Sequence, residues 1–269
     1  MTPIANPLVN PVKARMQSGS VALGMNVRLA RSGDIVRIAK SSGHDFIFID
    51  TQHSIFDVET IAHIAQTALD CGIAALVRVR GIDDPDTSLL LDNGVAGIVF
   101  PDVNTPEEAH RAVEICKFPP VGARSVVGGY PHFDFRAVPI KEAISQLNAA
   151  TLVVCMIETR AGLDNIEAIA GVPGVDVIHI GSNDLLTALG KPGQFDDPEL
   201  VSALDRAAAA AAKHGKFAGC GGNRDIERQA RAVRQGVRFL TTQTDLNFLA
   251  SAAARWTSDL GRALADAKT

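Results

Sequence analysis

At 269 residues, with 46% hydrophobic and 21% charged positions, the chain has the apolar content of a folded domain with a large core, which excludes a disordered polymer. A formal charge of −4 and an isoelectric point near 6.0 leave no basic surplus for a phosphate backbone, so nucleic acid is not the expected partner. No stretch approaches the ~18 apolar residues of a membrane span, and the opening MTPIANPLVNPVKARMQSGS has no long apolar centre.

Four cysteines (Cys71, Cys116, Cys155 and Cys220) lie far apart, form no C-x-x-C, and mostly sit in or beside apolar runs. Such spacing fits buried free thiols in a reducing compartment, so a cytoplasmic protein is expected. Residues 1–19 read as a proline-rich arm. Val21–Val27 follows as a first strand and Asp34–Ser42 as a helix closed by Gly43. Phe46–Asp50 (FIFID) is a strand, Phe56–Leu69 a helix, Ala75–Val79 a strand, and Pro85 opens a helix to Asn93. Gly97–Phe100 is the fourth strand, and Thr105 with Pro106 caps a helix that runs to Cys116. Phe118–Phe135 breaks the rhythm with glycine, proline and aromatics and reads as a long, functional loop.

After a helix over Lys141–Asn148, two apolar runs, Leu152–Ile157 and Val175–Ile180, flank the helical segment LDNIEAIAG. A second loop extends beyond Asp184 to Pro198, followed by an Ala-rich helix to His214, strands Phe217–Cys220 and Val237–Leu240 around a helix near Asp225–Gln235, and a last helix from Asp245. About eight βα units in one domain of this length predict a (β/α)8 barrel, with a doubly wound open sheet as the alternative.

In either frame the carboxyl ends of parallel strands share one edge, where such folds keep their chemistry. Asp50, His53, Arg78, Asp102, Glu158 and Asp184 all fall there. Glu158 and Asp184 suit Mg²⁺ or Mn²⁺, which take oxygen ligands and leave positions to water and substrate. They equally suit capping of the helices that follow them. His53 is a natural proton shuttle, or a solvated loop residue. Arg78, inside the apolar strand ALVRV, either grips an anion or forms an internal ion pair, with Arg80 the more exposed of the two. CGGNRD (Cys220–Asp225) is a weak candidate for an anion cradle, while His44, His63, His110, His179 and His214 read as structural.

Taken in order, DTQHS, LVRV, LLLDNG, FPPVGARS, MIETRAGLDNI and IGSNDL resemble the HpcH/HpaI family of metal-dependent, class II pyruvate aldolases, from about Ser20 to the last helix. The resemblance, which includes 4-hydroxy-2-oxoheptanedioate aldolases, implies a (β/α)8 barrel that assembles as a homo-hexamer (a trimer of dimers) with the C-terminal helix exchanged between subunits. It implies Glu158 and Asp184 as metal ligands, with Mg²⁺ or Mn²⁺ expected and Co²⁺ or Zn²⁺ as further candidates. It implies His53 as base, Arg78 as the enolate-stabilising group, Asp92 as the acid paired with the histidine, and Asp50 as the residue positioning the histidine loop. Backbone at Asn183 and Asp184 would hold the pyruvate carboxylate, with Ser182 and Met156 nearby. The chain departs from the family pattern at Thr51-Gln52, at Met156 where a glutamine is common, and at Ser182-Asn183. These departures bear on substrate preference.

The activity implied is reversible retro-aldol cleavage of a 4-hydroxy-2-oxo acid into pyruvate, or a close 2-oxo acid, and an aldehyde. A Schiff-base mechanism needs a lysine at a strand end, and Lys40, Lys117, Lys141, Lys191, Lys213 and Lys216 do not stand at one. Alternatives are an acyl-CoA thioester lyase of the malyl- or citramalyl-CoA type and a non-catalytic barrel that binds a keto acid.

Overall fold

The structure, a computed structural model, describes residues 7–266. Eight strands close into a barrel in chain order: β1 (Ala22–Val27), β2 (Phe46–Asp50), β3 (Ala74–Arg78), β4 (Gly97–Phe100), β5 (Leu152–Ile157), β6 (Val177–Gly181), β7 (Phe217–Gly221) and β8 (Val237–Thr244). Every neighbouring pair is parallel, and β8 returns to β1. This is the expected (β/α)8 barrel, and closure rules out the open sheet.

The period of two along each strand decides which residues meet inside. Phe46 and Phe48 of β2, Ala74 and Leu76 of β3, Leu152, Val154 and Met156 of β5, Val177 of β6 and Phe239 of β8 form the interior cluster. Their alternates, among them Ile47, Ile49, Ala75, Val77, Val153, Cys155 and Ile178, form the larger core beneath the surrounding helices. Gly24 lets the interior close. A Cβ there would lie 2.2 Å from the Phe46 ring, and the Phe46 and Phe239 rings stack with centroids 4.6 Å apart. Following the same parity upward, Asp50, Arg78, Glu158 and Gly181 all project toward the barrel axis at the carboxyl ends of their strands.

Part of the expected arm is helical. Asn10 caps the helix Pro11–Gln17 through bonds from the N–H groups of Val12 and Lys13, and Val12 and Met16 plug the amino-terminal end of the barrel. The Phe118–Phe135 loop also belongs to that lower end, not to the mouth. Phe118, Tyr130 and Phe133 pack on Ala143 and Leu147 as a separate small core, and Phe118 N–H donates to Asn148 Oδ1 at 2.8 Å. At the mouth, Asp245 opens the last helix, Asp245–Asp266. Its carboxylate accepts from the backbone N–H groups of Arg28, Leu29 and Ala30 at 2.8–3.2 Å, which pins the segment after β1. Apart from Asp245, no residue of this 22-residue helix is buried, and Leu246, Phe248, Leu249, Trp256, Leu260 and Leu264 are all exposed. No described helix is long and apolar enough to cross a membrane.

Candidate active site

The mouth encloses a cavity of about 120 Å³ lined by residues from seven of the eight strand ends, including Asn26, Asp50, His53, Arg78, Met156, Glu158, Ser182, Asn183 and Arg224. It brings together most of the residues singled out from the sequence.

Asp50 and Arg78 are register partners on β2 and β3. Arg78 Nε and Nη2 donate to the two Asp50 oxygens at 3.0 and 2.8 Å, a bidentate pair at a nearly buried site. The internal ion pair and the anion-gripping role are therefore compatible: two of the five N–H groups of the guanidinium are spent, and the group still lines the cavity. Asp50 also accepts from His53 N–H at 3.3 Å, and Thr51 Oγ1 donates to Arg78 O at 2.7 Å. Together these bonds fix the histidine loop to the end of β3. His53 itself is exposed at the rim. It is shared with a second cavity of about 410 Å³, where Gln52 has a buried Oε1 without a partner.

Glu158 is 3% exposed. One oxygen accepts from Asp102 N–H at 3.2 Å, while Oε1 is buried with no hydrogen-bond partner. Burial pushes this carboxyl up to about 7; the Arg78 charge and the Asp102 N–H oppose the shift, and the Asp102 and Asp184 charges add to it. Glu158 is not a helix cap, since Thr159 caps the helix Arg160–Asp164. Gly181 makes room for it: a Cβ there would meet Oε1 at 2.2 Å. Asp184, expected in a turn, lies in the first turn of a helix, Ser182–Ala188, that follows β6 directly. It is exposed and not among the cavity's lining residues.

The structure does not bring Asp92 to His53. Asp92 ends the helix Thr87–Asp92, and its Oδ1 accepts from Arg124 Nη2 at 2.5 Å, at the side of the barrel where the Phe118–Phe135 loop lies. The expected acid of the histidine pair is thus tied to the lower loop within one chain. Met156, register partner of His179, lines the floor with a thioether where an amide is common in the resembling family.

Sequence reading passed over Asn26, Arg28 and Thr241, took His179 as structural and included Arg224 only within the weak backbone cradle Cys220–Asp225; all five line the cavity. His179 sits wholly inside the barrel. Burial first, and the Arg78 charge second, hold its imidazole down at about 3, so it is neutral, and its Nδ1 has no partner. Arg28 and Arg224 follow β1 and β7 closely, and the strand-end rule that selected Arg78 would have selected them. No lysine lines the cavity.

The model of the HpcH/HpaI aldolase/citrate lyase family matches residues 25–252. The chain belongs to that family. Among curated relatives, it is 38% identical over 251 residues to the 4-hydroxy-4-methyl-2-oxoglutarate aldolase of Chaetomium globosum, covering 91% of this chain and 92% of that one. It is 33% identical to the pyruvate aldolase of Rhizobium etli, covering 90% and 94%. Among solved structures, the HpcH/HpaI aldolase from Desulfitobacterium hafniense superposes with a TM-score of 0.87 at 28% identity, over 92% of this chain and 95% of that one.

Proposed function

We propose that this HpcH/HpaI protein is a divalent-metal-dependent aldolase that reversibly cleaves a 4-hydroxy-2-oxo acid into pyruvate, or a close 2-oxo acid, and an aldehyde. The observation that carries the reading is Glu158: a buried carboxylate with an oxygen left unpartnered, beside an anchored arginine and below a rim histidine.

A divalent cation fits these residues. Among the described residues no three or more His, Cys, Asp or Glu side chains converge on one point. The family resemblance assigns Glu158 and Asp184 as the donor set, two carboxylates near enough for their charges to interact, and hard cations such as Mg²⁺ or Mn²⁺ accept few protein oxygens and keep water or substrate on the rest. Co²⁺ and Zn²⁺ are secondary choices. When bound, the cation supplies Lewis-acid stabilisation of charge on the 2-oxo acid.

The chain's own groups do the rest. The first-turn N–H groups of Asn183 and Asp184 have no partner within their helix and are placed to take the substrate carboxylate, beside Ser182. His53 accepts the 4-hydroxyl proton. The C3–C4 bond breaks, its electron pair moves into the pyruvate enolate, and Arg78, held by Asp50, stabilises the negative oxygen as it forms. A proton delivered to C3 completes pyruvate.

The same chain is read as a subunit of a homo-oligomer, a hexamer with exchanged C-terminal helices. The apolar side chains left exposed along Asp245–Asp266 support this, since a monomer rarely presents such a surface. The four buried free cysteines support a reducing, cytoplasmic setting.

The deciding experiment is NMR of deuterium exchange at the pyruvate methyl, with protein stripped of metal and resupplied with Mg²⁺, Mn²⁺ or Co²⁺. Metal-dependent exchange that disappears in Glu158→Ala supports the reading. Its absence with every metal, in folded protein, overturns it and leaves thioester cleavage or simple keto-acid binding.

A further inference from the structure

Three guanidinium groups, Arg28, Arg78 and Arg224, line a cavity that only two carboxylates, Asp50 and Glu158, share. Arg78 is satisfied by Asp50. Arg28 donates Nε to Ser54 Oγ at 3.2 Å and Nη2 to His53 O at 3.0 Å, and lies 3.7 Å from the already committed Asp50. Arg224 stands apart: its side chain makes no hydrogen bond or ion pair with any described residue.

Its place is built. Gly221 ends β7, and Gly222 takes a left-handed turn (φ 87°) against Asn183, so close that a Cβ would meet Asn183 Nδ2 at 3.0 Å. The glycine pair brings the loop over the cavity beside the segment that receives the pyruvate carboxylate. The Arg224 side chain is exposed at the rim of that cavity with Arg28 beside it; partial burial first, and the Arg28 charge second, lower its pKa. Two cations therefore face one space, and among the described residues no carboxylate pairs with Arg224. A planar guanidinium of this kind matches a carboxylate through two parallel N–H bonds. His53, which takes the 4-hydroxyl proton, lines the same cavity as Arg224, so an anionic group borne on C4 is the one nearest the unpaired guanidinium.

We propose that Arg224, backed by Arg28, is the subsite for a second carboxylate borne on C4, so that a 4-hydroxy-2-oxo acid carrying that carboxylate is preferred over one that lacks it. This rests on the aldolase reading. The 4-hydroxyl gives its proton to His53, the C3–C4 electron pair enters the enolate, and C4 departs as a carbonyl carbon still bonded to its carboxylate. Nothing is oxidised or reduced: one 2-oxo dicarboxylate yields two 2-oxo acids, the enolate having taken a proton at C3.

The test compares 4-hydroxy-2-oxoglutarate with 4-hydroxy-2-oxopentanoate, which differ only in a carboxylate or a methyl on C4. Wild type should prefer the dicarboxylate in kcat/KM by at least about tenfold, the value of one charge-assisted contact. Arg224→Gln should remove that preference through KM, and Arg224→Lys should restore part of it. An unchanged ratio in Arg224→Gln overturns the subsite while leaving the aldolase reading intact. Calorimetry with the uncleavable pair 2-oxoglutarate and 2-oxopentanoate separates the two failures further. If wild type cleaves neither substrate and exchanges no pyruvate protons, the aldolase reading has failed. A preference for 2-oxoglutarate that Arg224→Gln abolishes would still uphold the dicarboxylate subsite, and equal binding of both acids would overturn it.

Discussion

Replacing Glu158 by glutamine should stabilise the metal-free protein at pH 8 and change it little at pH 5. Burial is the main cause of the rise of this carboxyl to about 7, against an ordinary value of 4.5. Because the folded value is raised, the protonated group's contribution to stability is fully present below about 4.5 and is lost as pH climbs through about 7. At about 1.36 kcal/mol per pH unit, the gap amounts to about 3 kcal/mol at pH 8 and under about 1 kcal/mol at pH 5. A glutamine removes the charge but brings an amide that needs a partner, which reduces the expected gain to about 1–3 kcal/mol. For a chain of this size that corresponds to a rise in Tm of about 2–8 °C. The assay is urea unfolding of wild type and Glu158→Gln at both pH values with a chelator present. A variant less stable than wild type at pH 8, or a difference that does not grow between pH 5 and pH 8, refutes the reasoning.

Gly181→Ala should abolish metal uptake without unfolding the barrel, since the new Cβ would displace Glu158 Oε1 from 2.2 Å; Mn²⁺ binding followed by electron paramagnetic resonance checks it. Asp50→Asn leaves Arg78 without its ionised partner, so stability should fall by about 3 kcal/mol, and pyruvate-proton exchange should fall further than stability alone explains. Asp245→Ala removes the acceptor of four backbone N–H groups, those of Arg28, Leu29, Ala30 and Leu246, and should cost about 2–4 kcal/mol in denaturant unfolding.

Strands and helices were legible because their causes are local. Phe46–Asp50, Gly97–Phe100 and Leu152–Ile157 fall where β-branched and aromatic runs place them, and the helix Pro106–Cys116 begins at the capping box that Thr105 and Glu108 form. The two short helices Arg160–Asp164 and Ile166–Ala170, read as one from the sequence, share Asn165 as their boundary. Helix ends were less certain because fraying and caps shift them by a residue or two. At the site, Asp50, His53, Arg78, Glu158, Ser182 and Asn183 were all reachable from strand-end position and family motif. Arg28 was passed over although it occupies an equivalent end, Arg224 was included only as part of the backbone cradle Cys220–Asp225, and His179 was read as packing because a histidine within an apolar strand carries no local sign of what lies above it.

The sequence by itself determined the alternation of elements, the parity that points Asp50, Arg78 and Glu158 inward, and the family to which the chain belongs. Tertiary structure decided the pairings. Only closure of the barrel sets β2 beside β3 so that Asp50 engages Arg78, and β5 beside β6 so that Gly181 leaves space for Glu158. Only the packing of the Phe118–Phe135 loop at the lower end ties Asp92 to Arg124 rather than to His53. Propensity and periodicity act over a few residues, whereas these contacts span from 23 positions, between Glu158 and Gly181, to more than 200, as between Asp245 and Arg28, and their energies exist only once the chain has closed on itself.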